Sequence, residues 1–561
     1  MLLRIKAFFT ALLVALGSVA LLFRPAVPAP KSPEELENVP SLIHTVPLAD
    51  TVYVVEGGNI RSDERDTLIC LQGLVNRQKA QLYINYNSTY RSYLTETCEG
   101  KVNIVTANED GQPWTLPLLI EQFRSYITDN GYVIYRDSLF AEGLNLACSL
   151  AGVKGWLAVP EALREKAESW GLTLKENLAE KTCDYAFQKE FFNTYRESFR
   201  KDAIVHVMSD MRGLRDLAIQ QGFFITYSGD DAPGKSYLKY ILRHTGKNAY
   251  VLGWAETEKH FVKAISREGF AVIPSDHSYN CSFLNACRCD IPEQTGRGEH
   301  LTADPSKHYA AIIFSDGDNS QWIQNGFSEY YQKLQSFDTF PMTWTFPLIQ
   351  QELGPVCTRR AFRQAGRNNC FAAGVSGAGY MNPSYYDPHC MDTFTTRTAA
   401  LMQRSNMDVV TILEDKPTLF EEKIFEQNLD YYSRFDNIRG GFVMMDPDRY
   451  VASHGKVWFS NDKPFMSVRL TLWYIGENTE EKAPDSWIEE QAAILNNAPP
   501  SIHTVDGYTV INVNPWTVSV SSLAYFVSLL DEDVELVTAD QMLDLVSKNV
   551  PHKTAEPTAL Y

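Results

Sequence analysis

Positive charge, histidine and metal-type cysteine spacing are what this 561-residue chain has least of. Lys and Arg number 51 against 69 Asp and Glu, a formal net charge of -18. That balance argues against nucleic acid as a partner, because phosphate binding needs clustered Lys and Arg. Among ten cysteines and eleven histidines there is no CxxC pair and no His-x-x-x-His pair. A structural zinc site and a zinc-dependent deacetylase scheme both lack their ligands. No Walker-type phosphate loop or dinucleotide fingerprint is present. Gly374-Val375-Ser376-Gly377-Ala378 misses the Gly-x-Ser-x-Gly nucleophile elbow, because its second glycine comes one residue early. No Cys precedes Cys70, which removes lipoprotein processing at the amino terminus.

One long apolar run is present, from Ala7 to Phe23, with Arg4 and Lys6 before it and Arg24-Pro25 after it. A positive stretch followed by an apolar one is the pattern of a secretory signal, so residues 1–30 are expected to direct export. The run is just long enough to span a bilayer, and a membrane contact is expected only if it stays on as an anchor. The ten cysteines fit an oxidising compartment, with Cys281, Cys287 and Cys289 close enough for local disulfides or free thiols. Asn87-Ser88-Thr89 and Asn280-Cys281-Ser282 both complete glycosylation sequons.

Beyond the Pro-rich stretch 25–40, short apolar runs alternate with helical patterns. Thr51–Val55 reads as a strand, Asp63–Val75 as an amphipathic helix with Asp63 as its cap, and Ala80–Asn85 as the next strand. Similar units follow, and residues 31–300 are expected to form small α/β subdomains. From 301 to 550 the alternation is more regular. Strands are expected at 310–314, 343–346, 370–375, 409–413, 441–445, 466–472, 509–513 and 535–537, with helices such as 328–334, 395–404 and 484–496. Eight strands alternating with helices match a (β/α)8-like barrel, with a doubly wound open sheet as the alternative.

In such a barrel, functional side chains sit at the C-terminal ends of the strands. Reading each end gives Asp316, Asp318 and Asn319, then Trp344, then the loop Gly377-Ala378-Gly379-Tyr380. Glu414-Asp415, Asp446 and Asp448, Trp473, and Asn514 with Trp516 follow. Carboxylates, amides and aromatic rings together suit a carbohydrate, whose hydroxyls need hydrogen bonds and whose C–H faces pack on rings. Glycoside hydrolysis uses two carboxyl groups. The catalytic candidates are Asp318, Asp446, Glu414 and Asp316; the substrate-binding candidates are Tyr380, Trp344, Gly377, Gly379 and Trp516. No organic cofactor is expected. Asp316-Gly317-Asp318-Asn319 also offers hard oxygen donors for Ca²⁺ or Mg²⁺, although Phe327 stands where an EF-hand loop closes with Glu.

The run Gly377-Ala378-Gly379-Tyr380-Met381-Asn382-Pro383 resembles the signature of the GxGYxYP glycoside hydrolase family, with Asn382 in place of the second tyrosine. Leu71-Gln72-Gly73-Leu74-Val75-Asn76-Arg77, Gly253-Trp254 and the stretch Ser315 to Trp322 are similar to other parts of that family. The resemblance implies hydrolysis of glycosidic bonds. The expectation from another class is a non-catalytic carbohydrate-binding or surface adhesion protein.

Overall fold

The computed structural model describes residues 24–136, 142–208, 211–294, 298, 300–315, 319–325, 339–415, 419–476 and 481–558. The chain divides into two units. One runs from Pro40 to Asp290 and takes in a second segment, Ile349–Arg360; the other combines Ile291–Leu348 and Ala361–Tyr561 with the residues up to Val39.

The Pro40–Asp290 unit carries three small sheets, all of parallel pairs. The first joins β1 (Leu48–Glu56), β2 (Ala80–Asn85) and β3 (Asn103–Val105) in the order β2-β1-β3. The second joins β4 (Gly131–Tyr135), β5 (Leu157–Pro160) and β6 (Thr173–Asn177) in the order β5-β4-β6. The third, β10-β9-β7-β8, is built from β7 (Ala203–His206), β8 (Phe224–Thr226), β9 (Ala249–Gly253) and β10 (Phe270–Ile273).

The Leu71–Arg77 motif holds this unit together. Gly73 lies where an added Cβ would stand 2.7 Å from the Ile219 side chain, so only glycine permits the close helix approach. The Asn76 side chain accepts from the backbone N–H of Gln81 and of Leu82, both at 2.9 Å, and so shapes the turn into β2. Asp63 does not cap the Arg65–Val75 helix as expected. It sits in a short 3-10 turn, Ser62–Glu64, and pairs with Arg61 at 3.0 Å, while Glu64 precedes the helix without a side-chain cap.

His206 ends β7 fully buried. Its Nδ1 donates to Trp254 O at 2.9 Å and its Nε2 accepts from Ser228 N at 3.1 Å, a neutral tautomer whose pKa burial lowers to about 4. The two sequons behave differently. Asn280 is 1% exposed and its Oδ1 accepts from Gln72 and Ile84 N, so it has no room for a glycan. Asn87 caps the Ser88–Cys98 helix through bonds from Thr89 N and Tyr90 N. All ten cysteines are free thiols.

The second unit is a single large sheet. Its strands are β11 (His308–Phe314), β12 (Met342–Phe346), β13 (Asn369–Ala373), β14 (Val409–Asp415), β15 (Gly440–Asp446), β16 (Val457–Ser460), β17 (Lys463–Ser467), β18 (Leu470–Leu472), β19 (Tyr508–Val513) and β20 (Val534–Leu536). Nine follow the order β16-β17-β15-β14-β13-β12-β11-β19-β18, and β20 pairs with β11. Every pair is parallel except β16 with β17. β11 to β13 are buried along their whole length, as parallel strands covered on both faces are.

The strand expected over 466–472 is broken. β17 pairs with β15 and β18 with β19, and between them Val468 N donates to Val443 O and Arg469 N to Val510 O, each at 3.0 Å. The pairing establishes a mixed α/β architecture of parallel strands whose order has two ends, β16 and β18. The expected helix 328–334 lies outside the described residues. Pro484 precedes the Asp485–Asn496 helix as its N-cap, one place before the first-turn position. No helix among the described residues is long and apolar enough to cross a membrane, and the Ala7–Phe23 run lies outside them.

Candidate functional site

Just past the C-terminal ends of their strands, backbone bonds tie β11 to β19, β19 to β18 and β13 to β14. Ser315, just past β11, donates from N and Oγ to Val513 O of β19, at 3.1 and 3.0 Å. Asp316 and Asp318, the next residues of interest, lie outside the described residues. Asn319 accepts from Trp322 N at 3.1 Å, at the start of the Ser320–Asn325 helix. Ser376 N, past β13, donates to Thr411 O of β14 at 2.6 Å, and Asn514 N, past β19, to Leu472 O of β18 at 3.0 Å.

The Gly377–Pro383 loop is a rigid piece of backbone, fixed from several sides. Ser376 takes a left-handed φ of 61° and its Oγ donates to Met381 O at 2.6 Å. Gly377 has φ 105°, and a Cβ there would stand 2.5 Å from the Thr398 side chain, so two independent constraints require glycine. Thr398 Oγ1 in turn accepts from Ala378 N at 3.0 Å. The buried Tyr432 hydroxyl donates to Ser376 O at 2.9 Å, and Asn428 Nδ2 to Pro383 O at 2.6 Å. Gly379 is half-buried and Tyr380 only 3% exposed.

Glu414 completes this clamp. It is fully buried, its Oε2 accepts from Ser384 N at 2.7 Å, and its Oε1 accepts from Asp415 N at 2.9 Å. Burial pushes its pKa up to about 8, against the opposing pull of those N–H bonds and of the Ser384 side chain. At neutral pH the group is mostly the uncharged acid. It therefore holds the loop after Pro383 to the end of β14.

Asp415 and Asp446 are placed differently. They are register partners on the parallel pair β14 and β15, so their side chains leave the same face of the sheet, and both are half-buried. Glu414, one residue earlier, leaves the opposite face. It pairs in register with Met445, which lines a cavity of about 360 Å³ together with Glu422, Lys456 and Trp458. The pair opposed across the ladder is thus Asp415 with Asp446, and Asp415 is the partner that strand position alone does not pick out from Glu414.

Past Asp446 and Pro447 the backbone takes three consecutive left-handed residues, Asp448, Arg449 and Tyr450, with φ of 68°, 55° and 75°. Non-glycine residues avoid that region, and such runs concentrate at functional sites. Tyr450 O accepts from Met445 N at 3.1 Å, Arg449 Nη1 donates to Trp473 O at 3.1 Å, and the Tyr450 ring packs on Trp473 at 5.4 Å. Sequence reading reached Asp448 and Trp473 but not Arg449 and Tyr450; the signal available was the Pro447 turn. A second cavity, of about 250 Å³, is lined by Asp448, Arg449, His454, Arg469 and Trp487.

The tryptophans separate cleanly. Trp344 is 1% exposed, its Nε1 donates to Asn369 Oδ1 at 2.9 Å, and its ring packs on Phe314 at 4.7 Å. It is a core residue with no face left for a sugar, which corrects the expectation of substrate contact. Trp516 is 54% exposed, on a turn made by Asn514 Oδ1 accepting from Trp516 N at 3.0 Å and Thr517 N at 3.1 Å. No group of three or more His, Cys, Asp and Glu among the described residues is arranged to hold a metal ion.

Four models of one family match this chain in sequence order. They are the GxGYxYP_N first domain over residues 51–116, the GxGYxYP_N second domain over 130–198, the GxGYxYP third domain over 200–286, and the "GxGYxYP putative glycoside hydrolase C-terminal domain" over 306–547. Together they span most of the chain, which belongs to the GxGYxYP family. Among solved structures, it is similar to a putative hydrolase from Bacteroides thetaiotaomicron VPI-5482, with a TM-score of 0.79 and 23% identity over 90% of this chain and 96% of that one. At that identity the likeness establishes the shared fold. A putative polysaccharide deacetylase from Mycobacterium smegmatis aligns over 47% of this chain and 99% of its own, with 15% identity and a TM-score of 0.32. A comparison with curated proteins found no match.

Proposed function

We propose that the protein is an exported glycoside hydrolase that cleaves an extracellular glycan, with Asp415 and Asp446 as its carboxyl pair. The observation that carries this reading is their register across β14 and β15, half-buried and on one face. The family's glycoside hydrolase description supports the reaction class. Asp316 and Asp318, which follow β11 in sequence, remain candidates. Glu414 becomes a positioning residue, because both of its oxygens are bonded to backbone N–H groups. A barrel-like closure of the sheet is part of this proposal. It is supported by the single stretch Lys463–Leu472, which pairs first with β15 and then with β19. Export is supported by the amino-terminal charge and apolar pattern.

Neighbouring strands run about 4.8 Å apart, so in-register carboxyls on one face stand close to the roughly 5–5.5 Å separation of retaining glycosidases. The expected stereochemical outcome is retention. Proton NMR of the first sugar released from an active glycan shows it directly, and an inverted product would overturn the assignment of this pair. A binding-only reading is favoured by one observation, the 54% exposure of Trp516, which offers a flat stacking surface. Glycan binding that Trp516→Ala abolishes, with no product from any of a broad panel of glycans, would establish that reading instead.

A further inference from the structure

The segment after Asp446 turns back onto its own strand. Met445 N donates to Tyr450 O at 3.1 Å and Ala452 N to Met445 O at 3.2 Å, which holds the left-handed residues Asp448, Arg449 and Tyr450 against β15. This segment forms one wall of the cavity of about 250 Å³, and Trp487 and Gln491 of the Asp485–Asn496 helix form another. Asp448 is two residues from Asp446, so their Cα atoms lie within about 7 Å of each other.

We infer that this cavity is a subsite for one neutral sugar, next along the chain from the bond held between Asp415 and Asp446, so that the substrate is a glycan of several sugars. Its place beside the cleaved bond rests on the proposed function; binding of a sugar there does not. The lining supplies what a sugar ring needs. Asp448 offers a carboxylate, Arg449 a guanidinium and Gln491 an amide, so hydroxyls find both acceptors and donors. The half-buried Trp487 indole offers an apolar face to ring C–H groups.

These groups are fixed before a ligand arrives, which lowers the entropy lost on binding. Arg449 Nη1 donates to Trp473 O at 3.1 Å and its Nη2 to Asp448 Oδ1 at 3.4 Å. The Tyr474 ring meets Trp487 edge-on at 5.6 Å. The charges favour an uncharged occupant. Asp448 offsets Arg449, and the Arg469 side chain, 1% exposed, is turned to Asp506, with Nη1 donating to Asp506 O at 2.9 Å and Nη2 3.9 Å from Asp506 Oδ1.

Aromatic residues continue past the cavity. Half-buried Trp473 and Tyr474 follow β18, and Trp516, 54% exposed, follows β19. Tyr474 N donates to Thr517 Oγ1 at 3.2 Å, which ties the two strand ends together and gives further sugars of a bound chain rings to lie on.

Binding is measured by calorimetry on the full chain carrying Asp415→Asn, so that bound chains stay intact. The probes are xylo-, cello-, manno- and malto-oligosaccharides of two to six sugars, with oligogalacturonates as charged counterparts. One neutral series is expected to bind about tenfold more tightly as a tetrasaccharide than as a disaccharide. Adding Trp487→Ala or Asp448→Ala, each first shown by thermal melting to fold, is expected to weaken the tetrasaccharide about tenfold and the disaccharide less. Affinity independent of chain length, affinity unchanged in both added variants, tighter binding of oligogalacturonates, or no binding of any probe would each overturn the subsite. Length-dependent binding with no product from wild type would uphold the subsite and remove the hydrolase reading.

Discussion

Glu414 shows how far burial takes one side chain from its ordinary chemistry. Its pKa rises from 4.5 to about 8 because desolvation outweighs the N–H bonds that favour the carboxylate. The folded state therefore binds a proton that the unfolded state has lost across this window. The resulting stability is full below about pH 4.5 and disappears as pH rises through about 8. Denaturant unfolding at pH 5 and at pH 8.5 is expected to differ by a few kcal/mol from this group, at about 1.4 kcal/mol per pKa unit. In Glu414→Gln that difference is expected to vanish, with a constant cost of about 1 kcal/mol for the acceptor lost. An unchanged pH slope in the variant would mean the carboxyl is ionised at neutral pH.

Among elements, the loop after β13 is the one most narrowly determined. Gly377→Ala introduces a Cβ 2.5 Å from Thr398 at a φ of 105°, and is expected to cost about 2–4 kcal/mol. Adding Thr398→Ala removes the clash but not the dihedral strain, so thermal melts should show recovery of part of that loss. Full recovery would assign all of it to the clash. Much of the strand pattern was legible because buried parallel strands are continuous apolar runs, as in His308–Phe314 and Gly440–Asp446. β6, with the sequence Thr-Leu-Lys-Glu-Asn, is exposed or half-buried along its length and carries no such run. The antiparallel strand β16 was missed because only its pairing with β17 distinguishes it. The site was legible in part. Glu414-Asp415 stands out as an acidic end to an apolar strand, but which of the two opposes Asp446 depends on register with a strand 31 residues away. Trp344 looked like a sugar platform because local sequence does not record that Asn369 and Phe314 close over it.

At the scale of the molecule, the two units are built differently. The Pro40–Asp290 unit is organised by close helix packing at Gly73, the Asn76 turn and a cysteine cluster, whereas the second unit gathers its acidic residues at the C-terminal ends of parallel strands. In the proposed function the second unit is catalytic through Asp415 and Asp446. The measurement that tests it most directly is glycan turnover by wild type, Asp415→Asn and Asp446→Asn, each first shown by thermal melting to fold. Wild type is expected to release product, and each variant to lose roughly 10²–10⁴-fold in rate. Turnover in either folded variant equal to wild type would contradict the account.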